Sequence, residues 1–65
     1  MRIMVNGEAR EVAGPTLAQT LEELGYGEAR VATAVNGDVA PASRRGEVTL
    51  SEGDRLEVLA PMKGG

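Results

Sequence analysis

The 65-residue sequence predicts an α+β fold, one mixed sheet packed on a single main helix. Three observations lead there. Short segments near both ends of the chain alternate apolar and polar residues, as half-buried strands do. Two Asn-Gly pairs, Asn6-Gly7 and Asn36-Gly37, mark tight hairpins whose central residues need positive φ. One stretch, through Leu17, Leu21 and Leu24, carries the spacing of an amphipathic helix. A run of strands with one helix places that helix over one face of the sheet.

The elements follow in order. Met1, Ile3 and Val5 point one way and Arg2, Met4 and Asn6 the other, so the first strand has one buried face. After Asn6-Gly7 the chain returns antiparallel through Glu8–Val12, and Gly14-Pro15 closes the hairpin. Thr16 with Gln19 three residues on matches a capping box, and Gly25 suits the position just past the helix end. Val31–Val35 reads as a strand with both faces largely apolar, which implies a central place in the sheet. Asn36-Gly37 turns it into a short segment, Asp38–Ala40, that Pro41 ends. Ala42–Gly46 reads as a loop, and Val48 and Leu50 form a short apolar pair before the turn Glu52-Gly53-Asp54. Arg55–Leu59 is the last strand, with Leu56 and Val58 against Arg55 and Glu57.

Composition narrows the chemistry. Such a chain buries only about 60% of the surface its unfolded form exposes, so its core is thin. The sequence has neither cysteine nor histidine, which excludes disulfides, thiolate metal sites, the common zinc geometries and catalysis by imidazole. Tyr26 is the only aromatic residue, too few for a stacking platform. Ten acidic against seven basic residues give a net charge of −3, which argues against nucleic acid and is compatible with a basic protein partner. No stretch reads as a signal-peptide core or membrane span, so the expected location is cytoplasmic. Gly7 and Gly25-Tyr26-Gly27 lack the strand–loop–helix setting of a phosphate cradle. Arg44-Arg45 and Glu22-Glu23 read as solvated surface, and no carboxylate pair stands out as catalytic.

Beyond Leu59 the character changes. Residues 1–59 form the expected domain and 60–65 a flexible tail. Pro61 cannot continue a ladder and biases Ala60 to an extended conformation. Ala60 to Gly65 spans roughly 20 Å when fully extended. Gly64-Gly65 has no side chain to block entry into a narrow channel. Taken alone, the pair fits a frayed terminus as well as a carboxylate delivered into another protein's active site; a β-rich domain ending just before it favours the second.

Together these pieces resemble the ubiquitin-like β-grasp fold, and more specifically the ThiS family, the sulfur carriers of thiamine (thiazole) biosynthesis. The resemblance rests on Val5-Asn6-Gly7-Glu8, Thr16-Leu17 through Leu24, Val31–Gly37, Glu52–Val58 and Gly64-Gly65, and covers essentially the whole chain. It implies a protein that is not an enzyme and holds no cofactor. Its Gly65 carboxylate, presented by Gly64 and Lys63, would be adenylated with ATP by an E1-like adenylyltransferase and converted to a thiocarboxylate. The sulfur would come from a donor such as a cysteine desulfurase, by way of a persulfide, and pass to a thiazole synthase. The free carrier would be a monomer, without membrane or nucleic-acid partners.

Docking would use apolar residues on the sheet face away from the helix, with Met4, Leu59 and Met62 as candidates; all three also fit the edge of a core. Two alternatives stay open. The same chemistry serves molybdopterin synthesis or tRNA thiolation, although molybdopterin carriers are usually longer. A ubiquitin-like modifier joining Gly65 to lysines of other proteins begins with the same adenylation.

Overall fold

The computed structural model describes residues 1–27 and 30–59. The elements are strands β1 (Arg2–Val5) and β2 (Glu8–Glu11), helix α1 (Leu17–Glu23), strands β3 (Ala32–Val35) and β4 (Asp38–Ala40), a 3₁₀ turn (Ala42–Arg44) and strand β5 (Arg55–Leu59). One five-stranded sheet holds them in the order β2-β1-β5-β3-β4. The β1–β5 pair is parallel, and the hairpins β1–β2 and β3–β4 flank it. This is the mixed sheet with one helix expected of a β-grasp.

Local chemistry accounts for the hairpins and the helix ends. Asn6 and Asn36 take φ of 50° and 52°, with Gly7 and Gly37 also positive, as two-residue primed turns require. At Thr16 both halves of the capping box form: the hydroxyl accepts from Gln19 N–H at 3.1 Å, and Gln19 Oε1 accepts from Thr16 N–H at 3.2 Å. The other end is a Schellman motif. Gly25 N–H donates to Glu22 C=O at 3.1 Å, and Tyr26 N–H reaches Leu21 C=O at 2.8 Å.

The helix covers one face only. Ile3, Val5, Leu56 and Val58 of the two central strands meet Leu17 and Leu21, and Val12, Ala40 and Leu50 complete the buried set. Apolar area at about 25 cal/mol per Å² makes this cluster the main source of stability, since a seven-residue helix does not persist alone.

Several features differ from the sequence reading. β3 is internal but not central: β5 takes the middle, and β3 lies between it and β4. Ala32 is exposed while Thr33 is buried, because one short helix shields one face and the alanines fall on the other. The stretch read as a loop from Ala42 contains a 3₁₀ turn, with Arg44 N–H bonded to Pro41 C=O at 2.9 Å. The Val48/Leu50 pair flanks a bridge between Thr49 and Thr16 that ties down the helix start, through Leu17 N–H to Val48 C=O and Leu50 N–H to Pro15 C=O, both 2.8 Å.

Glu23, read as solvated surface, has a structural task. Its two carboxylate oxygens accept from Ala13 N–H at 2.8 Å and Gly14 N–H at 2.9 Å, satisfying the β2–α1 connection. Two charge-assisted bonds at an exposed site are together worth about 1.5 kcal/mol. Glu23→Ala is therefore expected to lower the melting temperature by roughly 10 °C in a domain this size. Glu23→Gln, which keeps one acceptor, should fall between. Thermal denaturation followed by circular dichroism reads both; an unchanged Glu23→Ala would contradict the assignment.

Candidate functional site

β5 is the strand that runs toward the tail, and both of its ends are braced by the hairpin asparagines. Beyond the end of β1, Asn6 acts as a substitute strand. Its Oδ1 accepts from Val58 N–H at 2.9 Å, and its Nδ2 donates to Val58 C=O at 3.1 Å. Asn36 does the corresponding work at the start of β5, its Oδ1 accepting from Arg55 N–H at 2.9 Å and its Nδ2 donating to Asp54 Oδ1 at 3.1 Å. Turn chemistry alone would be met by glycine at either position. The amides add backbone-like pairing that holds the last strand in register up to its final residues.

The face of the sheet away from α1 carries the candidate docking residues. Met4 is half-buried and Leu59 is 66% exposed, both on this face. They are not neighbours. Met4 pairs in register with Arg55, four residues before Leu59 on the same strand, so the two are about 13 Å apart along β5. What surrounds Leu59 is Ala32, its partner on β3; beyond that Ala34 stands between Glu57 and Val39. Val39 is 78% exposed, the most exposed of the large apolar side chains described. Leu59, Ala32, Ala34 and Val39 therefore form an apolar strip across β5, β3 and β4, with Met4 at its far side beyond Arg55 and Glu57. Isolated exposed apolar residues are ordinary on any surface; a contiguous strip beside the chain's exit is less so.

Val39 was missed in the sequence because its exposure depends on cross-strand register. The signal was present: once Thr33 is assigned inward, the two-residue Asn36-Gly37 turn pairs Ala34 with Val39 and sends both outward. Arg44 and Arg45 offer no free cation pair. Arg44 Nε pairs with Glu47 at 2.9 Å, and Arg45 turns inward to donate to Thr33 Oγ1 at 3.2 Å and to Val31 C=O.

Met62, Lys63, Gly64 and Gly65, and with them the expected reactive carboxylate, lie outside the described residues. Among the described residues no cluster of three or more His, Cys, Asp or Glu side chains could hold a metal ion. No helix described is long and apolar enough to cross a membrane.

Comparison with known proteins bears on this arrangement. The model of the ThiS family matches residues 3–65. The chain is 36% identical over 66 residues to a thiazole synthase of Paramagnetospirillum magneticum; the match takes in the whole chain and a fifth (20%) of that protein's length. It is also 36% identical over 63 residues to the sulfur carrier protein ThiS of Thermus thermophilus, covering 97% of this chain and 98% of that one. Among solved structures, the crystal structure of the thiamine biosynthesis protein ThiS from Geobacter metallireducens superimposes with a TM-score of 0.84 at 30% identity, over 100% of both chains. A solution structure of a thiamine biosynthesis protein from the same organism gives a TM-score of 0.77 at 29% identity, over 100% of this chain and 88% of that one.

Proposed function

The chain belongs to the ThiS family, and from that membership we propose that it is a sulfur carrier for thiamine (thiazole) biosynthesis, loaded at the Gly65 carboxylate. The observation that supports this most is the delivery of the chain: β5, the central strand, is held by Asn6 at Val58, and the residues from Ala60 to Gly65 follow directly.

The chemistry follows from what a carboxylate lacks. Ionised at neutral pH, it is a poor acyl donor. An E1-like adenylyltransferase overcomes this by joining the Gly65 carboxylate to the α-phosphate of ATP, with release of pyrophosphate. The terminal sulfur of a persulfide, supplied by a donor such as a cysteine desulfurase, attacks the acyl carbon and AMP departs. A thiol then cleaves the sulfur–sulfur bond, which leaves a thiocarboxylate. Transfer of that sulfur to the acceptor substrate on a thiazole synthase, with an oxygen atom from that substrate or from water taking its place on the acyl carbon, restores the carboxylate. The carrier contributes reach and a docking face and is not itself an enzyme. Lys63 is the only lysine of the sequence, so residues 1–62 offer no side-chain amine to trap the activated acyl group. In this reading the protein acts in the cytoplasm, where ATP is supplied, and is a monomer when free. The thiazole synthase that aligns with the whole chain over a fifth of its length supports that enzyme as the acceptor.

Docking by Met4, Leu59 and Met62 is tested by changing all three to serine. Adenylation is expected to fall at least about tenfold, in line with loss of several contacts of 1 kcal/mol or more at an interface core. Adenylation at the wild-type rate would remove these residues from the interface. The carrier reading itself is tested by denaturing gels and intact mass of tagged protein from its own cell. One free species with sulfur in place of a carboxyl oxygen supports it; a ladder of covalent adducts would favour a protein modifier instead.

A further inference from the structure

The sheet has two free edges, and they are built differently. All four residues of β2 are exposed and three are charged, the usual guard against unwanted pairing. β4 instead exposes Val39 between Asp38 and Ala40. Its register settles where its peptide groups point. Val35 and Asp38 close the two-residue turn, and Thr33 pairs with Ala40, so Asp38 and Ala40 direct their N–H and C=O groups at β3. Val39 lies between them opposite Ala34, in the non-hydrogen-bonded kind of pair, and its N–H and C=O face outward. The bond from Asn36 N–H to Arg55 C=O, 2.8 Å, fixes the same phase on the other side of β3.

A groove of about 550 Å³ runs beneath the β3–β4 hairpin, between Val35, Asp38 and Val39 on one side and Arg44, Glu47 and Asp54 on the other. Three carboxylates oppose one guanidinium, and that guanidinium is already paired with Glu47 at 2.9 Å. Asp54 is occupied by Asn36 Nδ2 and Ser51 N–H at 3.1 and 2.8 Å, which leaves Asp38 as the carboxylate most available to an incoming charge.

We propose that the outer edge of β4, with this groove beside it, is a strand-addition site for an extended, basic segment of a partner protein; Val39 offers its backbone here, while its side chain belongs to the apolar strip on the opposite face. The outward N–H and C=O of Val39 supply a backbone pair of the kind used in strand augmentation. Side chains two residues apart on the incoming strand fall on one face, so alternate Arg or Lys residues meet the Asp38 side of the groove. A second copy of this chain fits poorly, since pairing two such edges brings like-charged grooves together.

The test uses the full chain, labelled with ¹⁵N, titrated with the peptide acetyl-Arg-Val-Arg-Val-Arg-amide at low salt and followed by NMR. The expected shifts are at the amides of Asp38–Ala40 and Glu47–Thr49, with the Val39 N–H exchanging at least about tenfold more slowly at saturation. Affinity should fall as salt is raised. Val39→Pro removes the outward donor, leaves the β3-facing groups of Asp38 and Ala40 in place and is tolerated at an edge, and Val39→Ala controls for the lost side chain; Val39→Pro is expected to weaken binding about tenfold relative to Val39→Ala. Asp38→Asn, which leaves the backbone untouched, should weaken binding and flatten its salt dependence, and it decides the matter if Val39→Pro does not fold. Equal binding by folded Val39→Pro, shifts confined to β2 or to Leu59 and Ala32, self-association through Val39, or no shift at millimolar peptide would each overturn the proposal. None of these outcomes depends on the loading of Gly65.

Discussion

Deletion of Gly64 and Gly65 is expected to abolish thiocarboxylate formation while leaving the melting temperature within about 3 °C of the parent, since changes that leave the core intact typically alter stability by no more than about 0.5 kcal/mol. Among the described residues, the buried cluster runs from Ile3 to Val58. The proposed reaction, by contrast, needs the acyl carbon of Gly65 at the α-phosphate of ATP within a partner's site. Two residues of tail shorten its reach by about 7 Å, and displacement of even 1 Å can cost a hundredfold in rate. Gly65→Ala is the graded variant: it keeps the carboxylate and adds one methyl group, so loading should be slowed without being lost. Single-turnover adenylation with the partner enzyme reads both variants, and calorimetry reads their stability. Loading of the truncated chain at the parent rate would place the reactive group elsewhere.

Leu56→Ala is expected to have the opposite profile. Leu56 is fully buried near the start of β5, paired with Val5 on one side and Val35 on the other, and packed in the cluster that includes Leu17 and Leu21 of α1. Truncation of such a side chain costs about 3–4 kcal/mol through lost transfer energy and the cavity left behind. A domain of this length has roughly 3–10 kcal/mol in total. The variant should therefore lose roughly 15–25 °C in melting temperature or be largely unfolded at 37 °C. Leu59→Ala, three residues along the same strand but exposed, should stay within about 0.5 kcal/mol of the parent and act through docking instead. Urea denaturation of the two variants separates these outcomes; equal losses would mean that the inward and outward phases of β5 are misassigned.

The parts of this molecule that could be read from the sequence are those decided within a few residues. Asn6-Gly7 and Asn36-Gly37 announce hairpins because positive φ at two successive positions is rare and these residues tolerate it. Thr16 and Gln19 announce a helix start because the two bonds of the box close over three residues. Arg55–Leu59 shows its inward face by plain alternation. Strand order is another matter. The parallel contact of β1 with β5 joins residues some fifty positions apart, and nothing local distinguishes a central β5 from a central β3 when the latter is rich in small alanines. The second roles of Asn6, Asn36 and Glu23 escaped for the same reason. Each is a side-chain bond to backbone that is near only after folding. At the candidate site, the phase of Met4 and Leu59 was legible, whereas their separation and the strip joining Leu59 to Val39 needed the register of three strands at once.

A thiocarboxylate on Gly65 is read out by intact-mass spectrometry. The protein is incubated with ATP, an E1-like adenylyltransferase and a persulfide sulfur source, with a reaction lacking ATP as control. The expected result is a mass gain equal to the exchange of one oxygen for one sulfur, dependent on ATP and localised to the C-terminal residue by fragmentation. An unchanged mass with active partner enzymes, or sulfur attached anywhere but Gly65, would contradict it.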